Sequence, residues 1–456
     1  MSSPDSSSTP RHSVLVLGAG QVVRPLLDEL FQRGDTAVEV AALNIDRARE
    51  LVADSPLGSA TALDASDEQA LHGAIAGRSA VVSLLPADQH VRVARGCLIH
   101  RVPLITSSYV SDAMRQLDEE AREAGVLLLN ETGLDPGIDH MMAVDVIRRV
   151  RREGGDIESF ESYCGGLPAP EHNNNPWGYK LSWTPRGVLL SARSNVQYLQ
   201  DGQEIAHSHP YAEENPRLVQ VPSVGTLEAY PTRDSLKYRS PYALSAAQQV
   251  FRGTFRYPGW SETLRALLSL QLLELTPETL PPTTDGPWSY RRWMAHRLQS
   301  TVELVEAEAS KLLGLPVDHA VFQRLRWLGI FDDDQRLDPS PTTPLDRIAT
   351  LFQRRLQYAQ GEKDMVALEH HFIASYPGGE RRKIVKRLLT FGTAGDYSAM
   401  ARTVGIPAAL ATGQILDGKV DLVGVQIPID EALSQKILED LSERGFEITE
   451  TEESLP

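Results

Sequence analysis

The chain is poor in cysteine: Cys97 and Cys164 are the only two in 456 residues. That is too few for a disulfide framework, so a reducing, cytoplasmic setting is expected. It is also short of positive charge, with 45 Lys and Arg against 61 Asp and Glu and a net charge of −16. Wrapping a phosphate backbone needs clustered Lys and Arg, so nucleic acid is not an expected partner. A local basic pocket for a small anion remains compatible with this balance. No uninterrupted apolar run approaches the ~20 residues of a membrane span, and no membrane partner is expected. The first residues are rich in Ser and Pro and lack an apolar stretch of signal-peptide type. Residues 1–11 are therefore expected to be a disordered tail.

What is present is an ordinary globular composition, 41% hydrophobic and 23% charged, long enough for two or three domains. Short apolar runs at Ser13–Leu17, Val38–Leu43, Ser79–Leu85, Val102–Thr106 and Val126–Asn130 alternate with helical spacing at Val22–Gln32, Ala48–Ala53, Arg92–His100 and Asp112–Ala124. Strand, helix, strand over some 120 residues predicts a Rossmann-like parallel sheet covered on both faces. From Ile157 to Tyr257 the segments are shorter, aromatic and β-branched, which predicts a second α/β domain with a mixed sheet. A Leu-rich helical insertion is expected over 261–360. The predicted division is a dinucleotide-binding domain over 12–134, completed by part of 390–416, and a substrate-binding domain over 135–260 and 361–448.

Four places offer chemistry. Gly18-Ala19-Gly20-Gln21-Val22-Val23 follows a strand and opens a helix, the context of a dinucleotide fingerprint. Gly18 would make the turn and Gly20 would admit a pyrophosphate to the helix N-terminus. Beyond the second strand, Asp46 or Arg47 is the candidate for the adenosine ribose, the alternative being a solvated first helical turn. Asp64 is either a contact on the adenine side or a helix cap. Thr106-Ser107-Ser108-Tyr109 ends a strand, where open α/β sheets bind ligands. Asn130 to His140 also follows a strand and carries Glu131, Asp135, Asp139 and His140. Its spacing matches no helical pair of metal ligands, so no metal is expected. Asp135 lacks an evident capping partner and is the choice for a substrate contact. The fourth set comprises Lys180 to Gly187, Thr232-Arg233-Asp234-Ser235 and Arg252 to Tyr257. Arginines among aromatics suit a small molecule with several carboxylates, although each alone reads as a surface ion pair. The run Tyr163 to Glu171, with Cys164, two glycines and two prolines, reads as a shaped loop.

Taken together these strings resemble the glutamate-forming saccharopine dehydrogenase family. The resemblance is carried by Ser107 to Ser111, Gly133-Leu134-Asp135-Pro136-Gly137, Cys164 to Glu171, Asn175 to Gly187, Thr232 to Ser235 and Thr403 to Ala409. It implies an NADP- or NAD-dependent oxidoreductase that interconverts saccharopine with glutamate and α-aminoadipate semialdehyde, and it implies a homodimer through the second domain's sheet. It carries substrate contacts onto Ser108, Tyr109, Asp135, Arg233, Thr254, Phe255 and Arg256. Cofactor contacts fall on Gly18, Gly20, Gln21, Val22, Asp64, Ala65, Ser107, Thr132, Gly133, Leu134 and Ser182. Tyr109, Asp135 and Cys164 become the polar groups around the reacting carbon. One departure bears on the cofactor. The family often ends its second strand with Cys-Arg, suited to a 2′-phosphate, and this chain has Ala42-Leu43 there. Two other readings are compatible with the residues: a reductase of another secondary-amine dicarboxylate, such as a carboxylated polyamine, and a non-catalytic dinucleotide sensor.

Overall fold

In a computed structural model, the structure describes residues 10–213, 215–282, 286–338, 340–394 and 397–456. The expected tail lies outside them as far as residue 9. The chain forms two compact units, residues 1–155 with 388–450, and 156–387 with 451–456.

The first unit runs β1 (His12–Leu17), α1 (Val23–Gln32), β2 (Thr36–Ala42), α2 (Ile45–Val52), β3 (Gly58–Ala62), α3 (Glu68–Ile75), β4 (Ala80–Ser83), α4 (His90–His100), β5 (Leu104–Thr106), α5 (Asp112–Arg115), α6 (Asp118–Ala124), β6 (Leu127–Leu129) and α7 (Ile138–Arg152). The second unit continues with β7 (Asp156–Pro168), α8 (Pro185–Ser191), β8 (Val196–Gln200), β9 (Gln203–His207), β10 (Arg217–Val221), β11 (Gly225–Pro231) and β12 (Gln249–Arg256). Helices α9 (Trp260–Ser269), α10 (Tyr290–Arg297), α11 (Val305–Leu313), α12 (Ala320–Leu328) and α13 (Pro344–Arg355) follow, then β13 (Asp364–Ser375) and β14 (Arg381–Phe391). The chain closes with α14 (Ala399–Leu416), β15 (Gly424–Gln426), α15 (Glu431–Glu443) and β16 (Glu447–Leu455).

The first sheet has seven strands in the order β15-β6-β5-β4-β1-β2-β3, and every pair is parallel. Alternation within β1 explains its two covered faces. Val14 and Val16 pack with Val23, Leu26 and Leu27 of α1 and with Ala408 of α14. Leu15 and Leu17 pack with Leu71 of α3 and Val93 and Cys97 of α4. The strand order reverses between β1 and β4, so the crevice at their carboxyl ends is the natural ligand site.

The second sheet has the path β10-β11-β12-β7-β13-β14-β16, with β8 paired to β12 and β9 to β8. It is mixed: β7 runs parallel to β12 and antiparallel to β13.

Two expectations are corrected. The stretch Tyr163–Pro168 is not a loop but the end of the central strand β7. Gly165 is there because a Cβ would stand 2.7 Å from both the Phe255 carbonyl oxygen and its Cβ, so only glycine lets β12 approach so closely. Asp112–Ala124 is two helices, interrupted at Gln116 and Leu117. Helix α7 and residues 388–450 cluster with the first sheet, because β15 pairs with β6 and α14 packs on α1.

Candidate active site

At the end of β1, Gly18 has φ of +107° and its amide donates to the Ala41 carbonyl at 2.9 Å, turning the chain over β2. A Cβ on Gly18 would press on the Leu84 carbonyl oxygen at 3.1 Å, while the place of a Cβ on Gly20 has nothing within 4 Å. Helix α1 then begins without a side-chain cap and without an acid in its first turn. A closed turn, an open glycine and uncapped amides fit the pyrophosphate of a dinucleotide. Gln21 is exposed and Val22 half-buried at this mouth.

Among the described residues, no uncommitted cation stands at the end of β2. Leu43 is 77% exposed, Asn44 caps α2 by accepting from the Arg47 amide at 3.0 Å, and the candidates Asp46 and Arg47 are helix-surface residues. Asp46 pairs with Arg49 at 3.3 Å and Arg47 with Glu50 at 2.9 Å. Asp64 is exposed and accepts from the Ser66 amide at 2.8 Å; hydrogen bonding from Ser66 holds its carboxyl below the usual range, and Ala65 follows it in the same turn. Asp67, not Asp64, caps the next helix.

The ends of β4, β5 and β6 form one polar network. Tyr109 donates its phenol to Asp135 Oδ1 at 2.8 Å. Ser107 lies against Gly133, whose Cβ would stand 3.0 Å from the Ser107 Cβ. The Thr132 amide donates to the Thr106 carbonyl at 3.0 Å, and Leu134 is buried and receives the Asp139 amide at 3.0 Å. Ser111 caps α5 by accepting from the Met114 amide.

Two members of this network have no assigned role in the sequence reading. His90, the first residue of α4, is 3% exposed. Its Nδ1 is 3.0 Å from Ser83 Oγ, and its Nε2 is 2.8 Å from Ser108 Oγ and 3.2 Å from Thr106 Oγ1. Burial pulls its pKa down to about 4, only partly offset by Asp88, so the ring is neutral near pH 7. It thus fixes the hydroxyl of Ser108 without adding charge. The other is Glu131, buried beside His140. The signal for His90 was its position: the first helical residue after a strand end in a parallel sheet.

In the second unit the expected residues gather around β12. Thr254 stands opposite Cys164 in the parallel β7–β12 pair, and the Phe255 ring stacks on Tyr163 with centroids 5.3 Å apart. Arg256 is 8% exposed, donates from Nη1 to the Phe255 carbonyl at 2.7 Å, and leaves Nε without a partner. Its guanidinium carbon lies 4.8 Å from the Tyr179 ring and 5.1 Å from the Trp260 ring. Burial pushes the phenols of Tyr179 and Tyr211 up, so neither carries charge near pH 7, and Ser182 hydrogen-bonds Tyr179. Among the described residues Arg256 has no carboxylate partner. A buried cation of that kind is destabilising unless an anion joins it. Cys164 is buried and is not in a disulfide.

Arg233 is exposed just beyond β11, with φ of +53°. Of the other basic candidates, Arg186 is an ion pair with Asp346 at 2.8 Å, and Lys180 pairs with Glu362.

A doubly covered parallel sheet with an open glycine turn at its switch point defines a dinucleotide-binding enzyme fold, here joined to a unit with a buried anion-seeking arginine. The comparisons with known proteins make that class specific. The family model of the saccharopine dehydrogenase NADP binding domain matches residues 14–129, and that of the saccharopine dehydrogenase C-terminal domain matches 133–446. The chain belongs to the saccharopine dehydrogenase family. It is 35% identical over 448 residues to saccharopine dehydrogenase [NADP(+), L-glutamate-forming] of Schizosaccharomyces pombe, covering 96% of this chain and 98% of that one. It is 32% identical to the mitochondrial alpha-aminoadipic semialdehyde synthase of Rattus norvegicus, over 96% of this chain but 48% of that longer protein. The structure of apo saccharopine dehydrogenase (L-Glu forming) from Saccharomyces cerevisiae matches with a TM-score of 0.87 and 34% identity, covering 98% of this chain and all of that one.

Proposed function

We propose that this chain is a glutamate-forming saccharopine dehydrogenase that uses NADP. In the oxidative direction the carbon next to the secondary amine loses a hydride, water adds to the resulting imine, and glutamate and α-aminoadipate semialdehyde separate. The observation that carries the substrate class is Arg256, a buried guanidinium with no acidic partner among the described residues. One of the three carboxylates of saccharopine supplies the missing anion, bidentate and charge-assisted.

When bound, NADP would supply the hydride acceptor. Gly18, Gly20, Gln21 and Val22 would hold its pyrophosphate. Asp64, Ala65, Ser107, Thr132, Gly133, Leu134 and Ser182 contribute further cofactor contacts. Asp135 holds the secondary amine by charge, oriented by the phenol of Tyr109, whose proton it accepts. Tyr109 positions the water that adds to the imine. Ser108 presents a hydroxyl fixed by His90. Arg233, Thr254 and Phe255 contribute to substrate binding, and Cys164 is a wall residue beside the reacting carbon. No covalent enzyme intermediate is needed, because a protonated imine already draws electrons from its carbon.

The same reading includes a homodimer through the second sheet and a cytoplasmic location. The dimer rests on the family resemblance, and the location on the two buried cysteines that form no disulfide. Among the described residues no helix is long and apolar enough to cross a membrane. The deciding experiment is saccharopine oxidation measured in parallel with NADP and NAD, followed by the absorbance of the reduced nicotinamide. Turnover with NADP is expected, and no turnover with either cofactor would refute the proposal.

A further inference from the structure

Glu131 holds an unusual place for a carboxylate. It is 4% exposed at the end of β6 and adopts φ of +58°, a conformation that side chains other than glycine rarely take. Its polar groups reach two neighbouring segments. Its amide donates to the Ser108 carbonyl at 3.1 Å, and its Oε1 accepts the Val110 amide at 2.9 Å. These two bonds flank Tyr109 on both sides. Its Oε2 lies 2.6 Å from Nε2 of His140, a fully buried residue in the first turn of α7. That turn is itself closed by Asp139, whose Oδ1 accepts the Gly137 amide at 2.6 Å. The loop carrying Asp135 therefore lies between two points that Glu131 and Asp139 secure.

We infer that Glu131, backed by His140, is a positioning residue: it clamps the backbone on both sides of Tyr109 and so sets the Tyr109–Asp135 hydrogen bond. The inference rests on the proposed function for its kinetic consequence, but the clamp itself does not. A left-handed Glu persists where the surroundings over-determine it, and in this conformation one residue reaches the loop with both its amide and its carboxylate. A hydrophobic residue would leave the Val110 amide unpaired beside buried surface. A glycine would take the φ more readily but reach neither Val110 nor His140.

The test uses Glu131→Ala, which removes the acceptor of the Val110 amide, and Glu131→Gly in case the first variant folds poorly, since glycine relieves the backbone at that site. Amide hydrogen exchange is followed over the segment 107–111. Faster exchange there, with the rest of β5 and β6 protected as in the unaltered chain, is expected. Unchanged exchange in both variants would overturn the clamp. Saccharopine oxidation is then measured in a cycle with Tyr109→Phe. Glu131→Ala should lower kcat about tenfold with KM within about twofold, and should add less than about twofold once Tyr109 is Phe. An equal loss in both backgrounds would show that Glu131 does not act through Tyr109 and would overturn the inference. Absence of turnover by the unaltered chain would instead sink the proposed function, and hydrogen exchange alone would then decide the clamp.

Discussion

The ends of β4, β5 and β6 and the surroundings of Arg256 treat polar groups in opposite ways. In the first, hydroxyls, a phenol, two imidazoles and two carboxylates find partners among themselves: Ser83 and Ser108 on His90, Tyr109 on Asp135, and Glu131 on His140. In the second, a buried guanidinium has aromatic neighbours but no acid among the described residues. A satisfied network is pre-organised, so it orients groups without further rearrangement. An unsatisfied charge weakens the fold, and the weakness is offset only when an anion arrives. The contrast separates groups whose partners are already in place from one that has no acid beside it.

The largest test of that contrast is Arg256→Met. Saccharopine oxidation should show kcat/KM reduced about a hundredfold, as for a substrate carboxylate left unpaired in a buried site. Thermal unfolding of the free protein should be unchanged or shifted upward, because an uncompensated charge is gone. A drop in melting temperature with normal kinetics would invert the assignment. Asp135→Ala comes next. It should lower kcat/KM about thirtyfold, the effect of deleting one charge-assisted hydrogen bond to the substrate amine, and leave Tyr109 without its acceptor. Full activity with this variant would remove Asp135 from the chemistry.

Leu43→Arg sharpens the cofactor side. A cation at the exposed end of β2 should raise the NADP-over-NAD preference in kcat/KM by about tenfold; no change would place the 2′-phosphate elsewhere. His90→Gln addresses the network's charge. With a folded pKa of about 4 against 6.5 unfolded, the unfolded chain binds the extra proton between these values. Stability therefore falls as pH drops through that window, and His90 contributes nothing to the slope above it. Denaturant titrations at about pH 7 and about pH 4.5 should show a shallower acid loss in the variant, by about one proton at most. An unchanged slope would mean that the ring is charged in the fold. Cys164→Ser is expected to have the smallest effect, roughly a threefold loss of kcat, within the range of conservative changes at buried sites. Abolished turnover in a folded variant would give the thiol a direct role.

The sequence was most legible where periodicity and chemistry coincide. The apolar run Ser13–Leu17, directly before the Gly18 turn, lies in β1 as expected. The failures have one cause. Gly165 and Gly166 read as loop residues because glycine weakens a strand in isolation, yet close approach of β12 requires glycine at 165 inside β7. Asp46 and Arg47 were candidates for the ribose because of their place after β2, and partners three residues along the helix engage them instead. His90 and Glu131 were invisible as functional residues because their partners lie 18 and 21 positions away in the chain.

By itself the sequence determined the alternation of strand and helix, the glycine turn, the mixed second sheet and, through several ordered strings, the family. Those depend on local spacing and on residue identity, which a linear chain displays in full. The tertiary structure decided which polar groups are partnered and which are not. Satisfaction is a property of neighbours brought together from distant segments, so only the folded chain distinguishes the clamped Tyr109 from Arg256, buried without an acid.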